Sequence, residues 1–137
     1  MKAQLDENLP PALARALHSL AEREGHQVVH VLDLVEPGTS DVDLFEAVAK
    51  AGVQIHITHD HHHRRQIERD AIAGSGLIVF VLSKSWASQQ FFEKAARLVQ
   101  WWPRIVEQAE SVSPPAVFRV PWQKQGRGKF DLIRITR

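Results

Sequence analysis

The chain has 137 residues, of which 44% are hydrophobic, and a formal net charge of +1. This length is enough to bury one core, so we predict a single domain over residues 1–137. Cysteine is absent, which excludes disulfides and cysteine nucleophiles and fits a reducing cytoplasm. The longest apolar run, Leu77–Leu82, is too short to cross a bilayer, and Met1–Asn8 carries acids, so we expect neither export nor membrane insertion.

The first half of the chain alternates between strand and helix patterns. These patterns predict, in order, a strand over Met1–Leu5, a helix over Leu9–Glu24, a strand over Gln27–Leu34, a helix from Thr39 or Ser40 to Lys50, and a strand over Val53–Thr58. Pro10 and Pro11 open the first helix and Gly25 ends it. The half therefore reads as strand, helix, strand, helix, strand.

The second half continues this alternation. We predict a helix that follows the polar run His59–Arg65 and ends at Gly74, a strand over Leu77–Leu82, a long helix over Trp86–Glu110, and strands over Val117–Val120 and Phe130–Ile135. The long helix has an apolar side made of Phe92, Ala95, Leu98, Trp102 and Val106. Pro103 must kink this helix or begin a new one, and the turn Gly126–Gly128 predicts a closing hairpin.

Regular alternation of strands and helices is typical of an α/β fold with a parallel sheet covered on both faces. Function in such sheets gathers at the carboxyl ends of the strands. The acids fall there: Asp6 and Glu7 follow the first strand, Asp33 ends the second, Asp41 and Asp43 open the second helix, and Asp60 follows the third strand. Carboxylates brought together repel one another unless a cation lies among them, which indicates Mg²⁺ or Mn²⁺. The alternative is that these acids are ordinary caps and turn formers.

Several motifs together resemble the PIN-like family of small nucleases. They are Leu5–Pro11 (LDENLPP), Gly25–His30 (GHQVVH), Ser40-Asp41 and Thr58–Asp60 (THD). The later segments Gly76–Leu82 and Ala96–Val106 resemble the VapC-type toxin branch of that family. The resemblance covers nearly the whole chain and implies a PIN-like, Rossmann-like domain, with residues 111–137 adding a strand, a hairpin and a basic tail.

The resemblance implies a metal-dependent ribonuclease that uses Mg²⁺ or Mn²⁺, with water as the nucleophile. It also implies the toxin half of a two-protein pair, whose antitoxin blocks the site. Its metal ligands would be Asp6, Asp41 and Asp60, with Glu68 of the Glu68-Arg69 pair as a fourth catalytic acid. Second choices for the ligands are Glu7, Asp43, Glu46 and Asp70. The sequence leaves homodimer formation open.

Other side chains near these acids have two interpretations each. Arg64, Arg65 and Arg69 are predicted to border the site and contact RNA phosphates, but they also fit a solvated helix face. The tail cations Lys124, Arg127, Lys129, Arg134 and Arg137 are a second candidate surface, for RNA or for an acidic antitoxin segment.

The remaining polar and aromatic candidates are also open to more than one interpretation. Asn8 is expected to hydrogen-bond a ligand carboxylate or the substrate, and His59 to orient Asp60. His61, His62 and His63 fit an exposed loop better than a transition-metal site, because consecutive residues cannot all face one ion. Trp101 and Trp102 are predicted to lie in the core or a protein interface rather than to stack on bases.

Two rival functions share parts of this pattern. A phosphoacceptor signalling domain also carries acids after its first strand and an aspartate after its third, as in Asp6, Glu7 and Asp60, but it needs a lysine at the end of its fifth strand that the sequence does not offer. A non-catalytic partner-binding module of the same fold is the other rival. Labelling of Asp60 by a phosphoryl donor would support the first rival, and metal-dependent cleavage of RNA distinguishes the nuclease from the second.

Overall fold

The computed structural model describes residues 1–59 and 76–135, with Asp41 described by its backbone alone. Within these ranges six strands form one sheet: β1 (Lys2–Leu5), β2 (Gln27–His30), β3 (Ile55–Thr58), β4 (Ile78–Leu82), β5 (Ala116–Val120) and β6 (Asp131–Ile133). Three helices pack on it: α1 (Pro11–Ala21), α2 (Asp41–Lys50) and α3 (Phe91–Ser111). The predicted helix that ends at Gly74 lies outside the described residues.

The strands are arranged in the order β2-β1-β3-β4-β5-β6. The first five are parallel, and β6 pairs antiparallel with β5. This arrangement confirms the predicted α/β fold with a mostly parallel sheet and a closing hairpin. Chain order reverses between β1 and β3, and ligands of doubly wound sheets bind at the carboxyl ends of strands beside such a reversal.

Helices cover both faces of the sheet, and a buried apolar cluster lies between the sheet and the helices on each face. On one face, Leu13 and Leu17 of α1 and Leu98 and Trp101 of α3 belong to the same buried cluster as Leu5. On the other face, Leu44, Phe45 and Val48 of α2 cluster with Val79 and Val81 of β4 and Val117 of β5. No helix within the described ranges combines the length and the apolarity that a membrane crossing requires.

Strand β2 is shorter than predicted, because His30 ends it. The Nδ1 atom of His30 accepts a hydrogen bond from the Leu32 N–H at 3.2 Å, and the Asp33 carboxylate accepts one from the His30 N–H at 3.1 Å. These two bonds fold Val31–Asp33 into a single 3-10 turn. The prediction that the strand runs to Leu34 is therefore wrong.

Helix α3 also begins later than predicted. Lys84–Ser88 forms a separate 3-10 turn, in which the buried Trp86 donates its indole N–H to the Val120 carbonyl at 2.9 Å. The helix then continues through Pro103 to Ser111 without a second start. Phe92 does not belong to the apolar side, because it is 81% exposed, whereas Leu98, Trp102 and Val106 are buried as predicted.

Candidate functional site

Asp6 is the first residue after β1 and lies at the point where chain order reverses. Its backbone N–H donates to the Ile57 carbonyl at 2.9 Å, so the chain stays beside β3 for one residue beyond the strand. A turn closed by the Leu9 N–H on the Asp6 carbonyl, at 3.0 Å, then leads through Pro10 into α1. The side chain of Asp6 is consequently held between a strand and a helix and is only 8% exposed.

Both carboxylate oxygens of Asp6 accept hydrogen bonds. The Glu7 N–H donates to Oδ1 at 2.7 Å, and the hydroxyl of Thr58 donates to Oδ2 at 2.7 Å. Thr58 is the fully buried last residue of β3, and its oxygen in turn accepts from the Nδ2 of Asn8 at 3.2 Å. The chain of bonds from Asn8 through Thr58 to Asp6 fixes the orientation of the carboxylate.

The Asp6 carboxylate has no cationic side chain in ion-pair contact among residues 1–59 and 76–135. An ionised carboxylate offers about four lone-pair positions, and the two bonds described above occupy only part of them. Burying a negative charge without a cation costs free energy, and a bound metal ion would lower that cost. Oxygen donors of this kind are the ligands that Mg²⁺ and Mn²⁺ prefer, so Asp6 has the chemistry of one ligand for a hard divalent ion.

Helix α2 lies over the same part of the sheet. Ser40 caps it by accepting a hydrogen bond from the Asp43 N–H at 3.2 Å, and Asp41 is its first residue. One turn further on, the ring of Phe45 packs edge-on against His56 of β3, with 4.9 Å between ring centroids. The second-choice acids Asp43 and Glu46 are exposed.

Two buried polar residues lie beneath the site, and the sequence analysis missed them. Gln4 of β1 and His56 of β3 are paired in register, and both are fully buried. The two amide atoms of Gln4 have no hydrogen-bond partner among the described residues. Polar residues two positions before Asp6 and Thr58 in otherwise apolar strands were the available signal, because residues two apart in a strand face the same way.

Three further predicted residues do not contact the Asp6 carboxylate with their own side chains. Asp33 does not join the site, because its carboxylate caps the end of β2. Glu7 is exposed beside Asp6 and contributes its backbone N–H rather than its carboxylate to the bonds described. Asn8 reaches the Asp6 carboxylate through Thr58 instead of bonding it directly.

The other predicted site residues lie outside the described residues. They are Asp60, His61, His62, His63, Arg64, Arg65, Glu68, Arg69 and Asp70. In the described part of the chain, no group of three or more acids and histidines converges in a way that could hold a metal ion. The ligand set Asp6, Asp41 and Asp60 therefore stays a prediction. Trp101 and Trp102 are buried, as predicted.

Comparison with known proteins gives one result that bears on identity. Neither the search of curated proteins nor the search of solved structures returned a match. A family model described as a PIN-like domain matches residues 1–84, from the first strand to just beyond β4. That span includes Asp6, Thr58 and the whole of α2, and it makes up more than half of the chain. The chain belongs to the PIN-like domain family.

Proposed function

We propose that this protein is a metal-dependent ribonuclease that hydrolyses RNA phosphodiesters at the carboxyl ends of β1 and β3. In this proposal Asp6, Asp41 and Asp60 hold Mg²⁺ or Mn²⁺, and Glu68 assists. The observation that carries it is the state of Asp6, a buried carboxylate oriented by two donors and without a cationic partner among the described residues.

The position of Asp41 on α2 supports its place in the ligand set. Leu44, Phe45 and Val48 form the buried stripe of α2, and Asp41 stands three, four and seven residues before them, which is the spacing of one helix face. Because α2 connects the parallel strands β2 and β3, it runs antiparallel to them and begins at the carboxyl edge.

The levels of these residues along the sheet also agree. Phe45 packs on His56, and Asp41 is about 6 Å nearer the carboxyl edge by helix rise. Thr58 is roughly 6–7 Å beyond His56 by strand rise. The first residue of α2 thus comes to the level of the bond between Thr58 and Asp6, whereas Asp43 and Glu46 are exposed elsewhere on the helix.

Asp60 is supported by its position in the chain. It follows by two residues Thr58, whose hydroxyl is bonded to the Asp6 carboxylate. The strand end that precedes Asp60 in sequence is therefore bonded to the first proposed ligand. Arg64, Arg65 and Arg69 follow it closely and are proposed to contact substrate phosphates.

The metal ion and the groups that hold the Asp6 carboxylate have separate roles in the proposed reaction. When bound, the divalent ion supplies a Lewis acid for the attack of water on phosphorus. Thr58 and the Glu7 N–H keep the Asp6 oxygens fixed, so that little reorganisation is needed during reaction. We also propose that the protein is the toxin of a toxin–antitoxin pair, in which the exposed tail cations Lys129 and Arg134 contact an acidic antitoxin segment.

The test is cleavage of an unstructured RNA by the purified protein with Mg²⁺ or Mn²⁺, and again with a chelator. We expect cleavage only with the metal, and a loss of at least about 100-fold in Asp6→Asn, Asp41→Asn and Asp60→Asn. Asp131→Asn, which changes an exposed acid on β6, is the matched control for contaminating nuclease. Metal-independent cleavage, or equal cleavage by all four variants, contradicts the proposal and favours a non-catalytic module.

A further inference from the structure

The start of α3 carries an exposed aromatic pair that the proposed chemistry does not use. Phe92 is 81% exposed and Phe91 is 40% exposed. Their rings meet edge to face, with 5.2 Å between centroids and an angle of 75°. Neighbouring apolar groups left in water on a folded protein are typical of a binding surface.

This aromatic pair lies beyond the same edge of the sheet as Asp6. The guanidinium of Arg97 in α3 lies 4.4 Å from the ring centroid of Trp122, which comes two residues after the carboxyl end of β5. Phe92 precedes Arg97 by five residues, so it lies about 7–8 Å further along the axis of α3, beyond the carboxyl edge of the sheet. Three strand spacings, roughly 14 Å, separate β5 from β1 along the edge.

The surroundings of the pair favour a polyanion over an apolar peptide. Residues 84–97 contain the cations Lys84 and Lys94, besides Arg97 on Trp122, against the single acid Glu93. Lys94 stands three residues after Phe91 and therefore on the same side of the helix. Helix α3 connects the parallel strands β4 and β5 and therefore begins at this edge, so the positive end of its dipole is directed toward it. No described side chain caps its first turn.

We propose that Phe91 and Phe92 form a base-stacking platform for single-stranded RNA, on which unpaired bases rest while a phosphodiester a few nucleotides further along the strand reaches Asp6. Aromatic rings bind bases of any type through their faces, and nearby cations contact the backbone. The inference rests on the proposed function, because it takes RNA as the substrate of the Asp6 site.

The test measures binding separately from cleavage. Affinity for a short unstructured RNA with a fluorescent end label is measured by anisotropy, with divalent ions chelated, for the whole chain and for Phe92→Ala. We expect Phe92→Ala to bind at least about fivefold more weakly. The salt dependence of the RNA affinity should be the same for Phe92→Ala as for the wild type, because no cation is removed. Phe92→Trp should restore the affinity, and affinity for the same sequence as a duplex should be equal in all variants.

Leu132→Ala is the matched control, since Leu132 is a large apolar residue of β6 that is 63% exposed. The platform is refuted if Phe92→Ala binds RNA as tightly as the wild type, or if Leu132→Ala weakens binding as much. It is also refuted if Phe92→Ala only converts a dimer to a monomer in sedimentation and leaves RNA affinity unchanged. Binding that depends on Phe92 without metal-dependent cleavage supports the platform and refutes the nuclease; cleavage with binding independent of Phe92 does the reverse.

Discussion

Replacing Thr58 by valine removes the hydroxyl that orients Asp6 while keeping the volume of the side chain. The lost bond is 2.7 Å long, its acceptor is a carboxylate that is 8% exposed, and its donor is fully buried. A hydrogen bond to a charged group contributes about 1.5–3 kcal/mol. Asn8 is exposed and can turn its amide to water, so it adds little. We therefore expect Thr58→Val to lower the free energy of unfolding by about 1.5–3 kcal/mol.

Urea denaturation measures this loss, and Thr58→Ser separates it from packing. Serine keeps the hydroxyl and removes one buried methyl group, which costs about 1 kcal/mol. Asp6→Ala removes the acceptor, so in that background the effect of Thr58→Val should shrink by about 1 kcal/mol or more. The reasoning is refuted if Thr58→Val is more stable than Thr58→Ser, or if the two changes at Asp6 and Thr58 are additive.

Two further substitutions test the packing of the core. A Cβ at Gly128 would lie 2.6 Å from the Trp101 ring at a backbone φ of +100°, so Gly128→Ala should cost about 2–4 kcal/mol in thermal or urea unfolding, against about 1 kcal/mol for Gly126→Ala, where the space is open. Equal losses in the two variants contradict this. Gln4→Met removes two buried amide atoms that lack hydrogen-bond partners in the described part of the chain, and it should raise the free energy of unfolding by about 1–2 kcal/mol. The exposed Gln27→Met should leave it unchanged, and destabilisation by Gln4→Met would show that the amide is satisfied in solution.

Most of the fold could be predicted because it follows from local patterns. The alternation of apolar strands with amphipathic helices predicted β1, β4 and α2, and Ser40 was among the two expected caps. The errors arose where a side chain takes a hydrogen bond that would otherwise continue a strand, or where a helix extends past the end of the sheet. His30 ends β2 through its ring, which no propensity for Val31–Asp33 reveals. Phe92 has the helical spacing of the buried residues of α3, but it lies at the start of the helix and is exposed.

The site could be predicted only in part, for a related reason. The position of Asp6 could be predicted, because the residue after a parallel strand lies at the carboxyl edge of the sheet whichever neighbour the strand has. The contact between Thr58 and Asp6 depends on the register of β1 against β3, which pairs Leu5 with Ile57 across 52 positions of sequence. Register is fixed by packing of the whole sheet, so neither this hydrogen bond nor the buried pair of Gln4 and His56 follows from local patterns.

Binding of Mn²⁺ tests most directly whether acids from separate parts of the chain share one ion. Titration calorimetry of the whole chain with Mn²⁺ alone should give a saturable site. The affinity should fall by at least about 100-fold in Asp6→Asn, Asp41→Asn and Asp60→Asn, because even residues that only orient a ligand contribute about 10–100-fold. The exposed Asp131→Asn should bind as the wild type does. Unchanged Mn²⁺ affinity in Asp6→Asn would contradict the account.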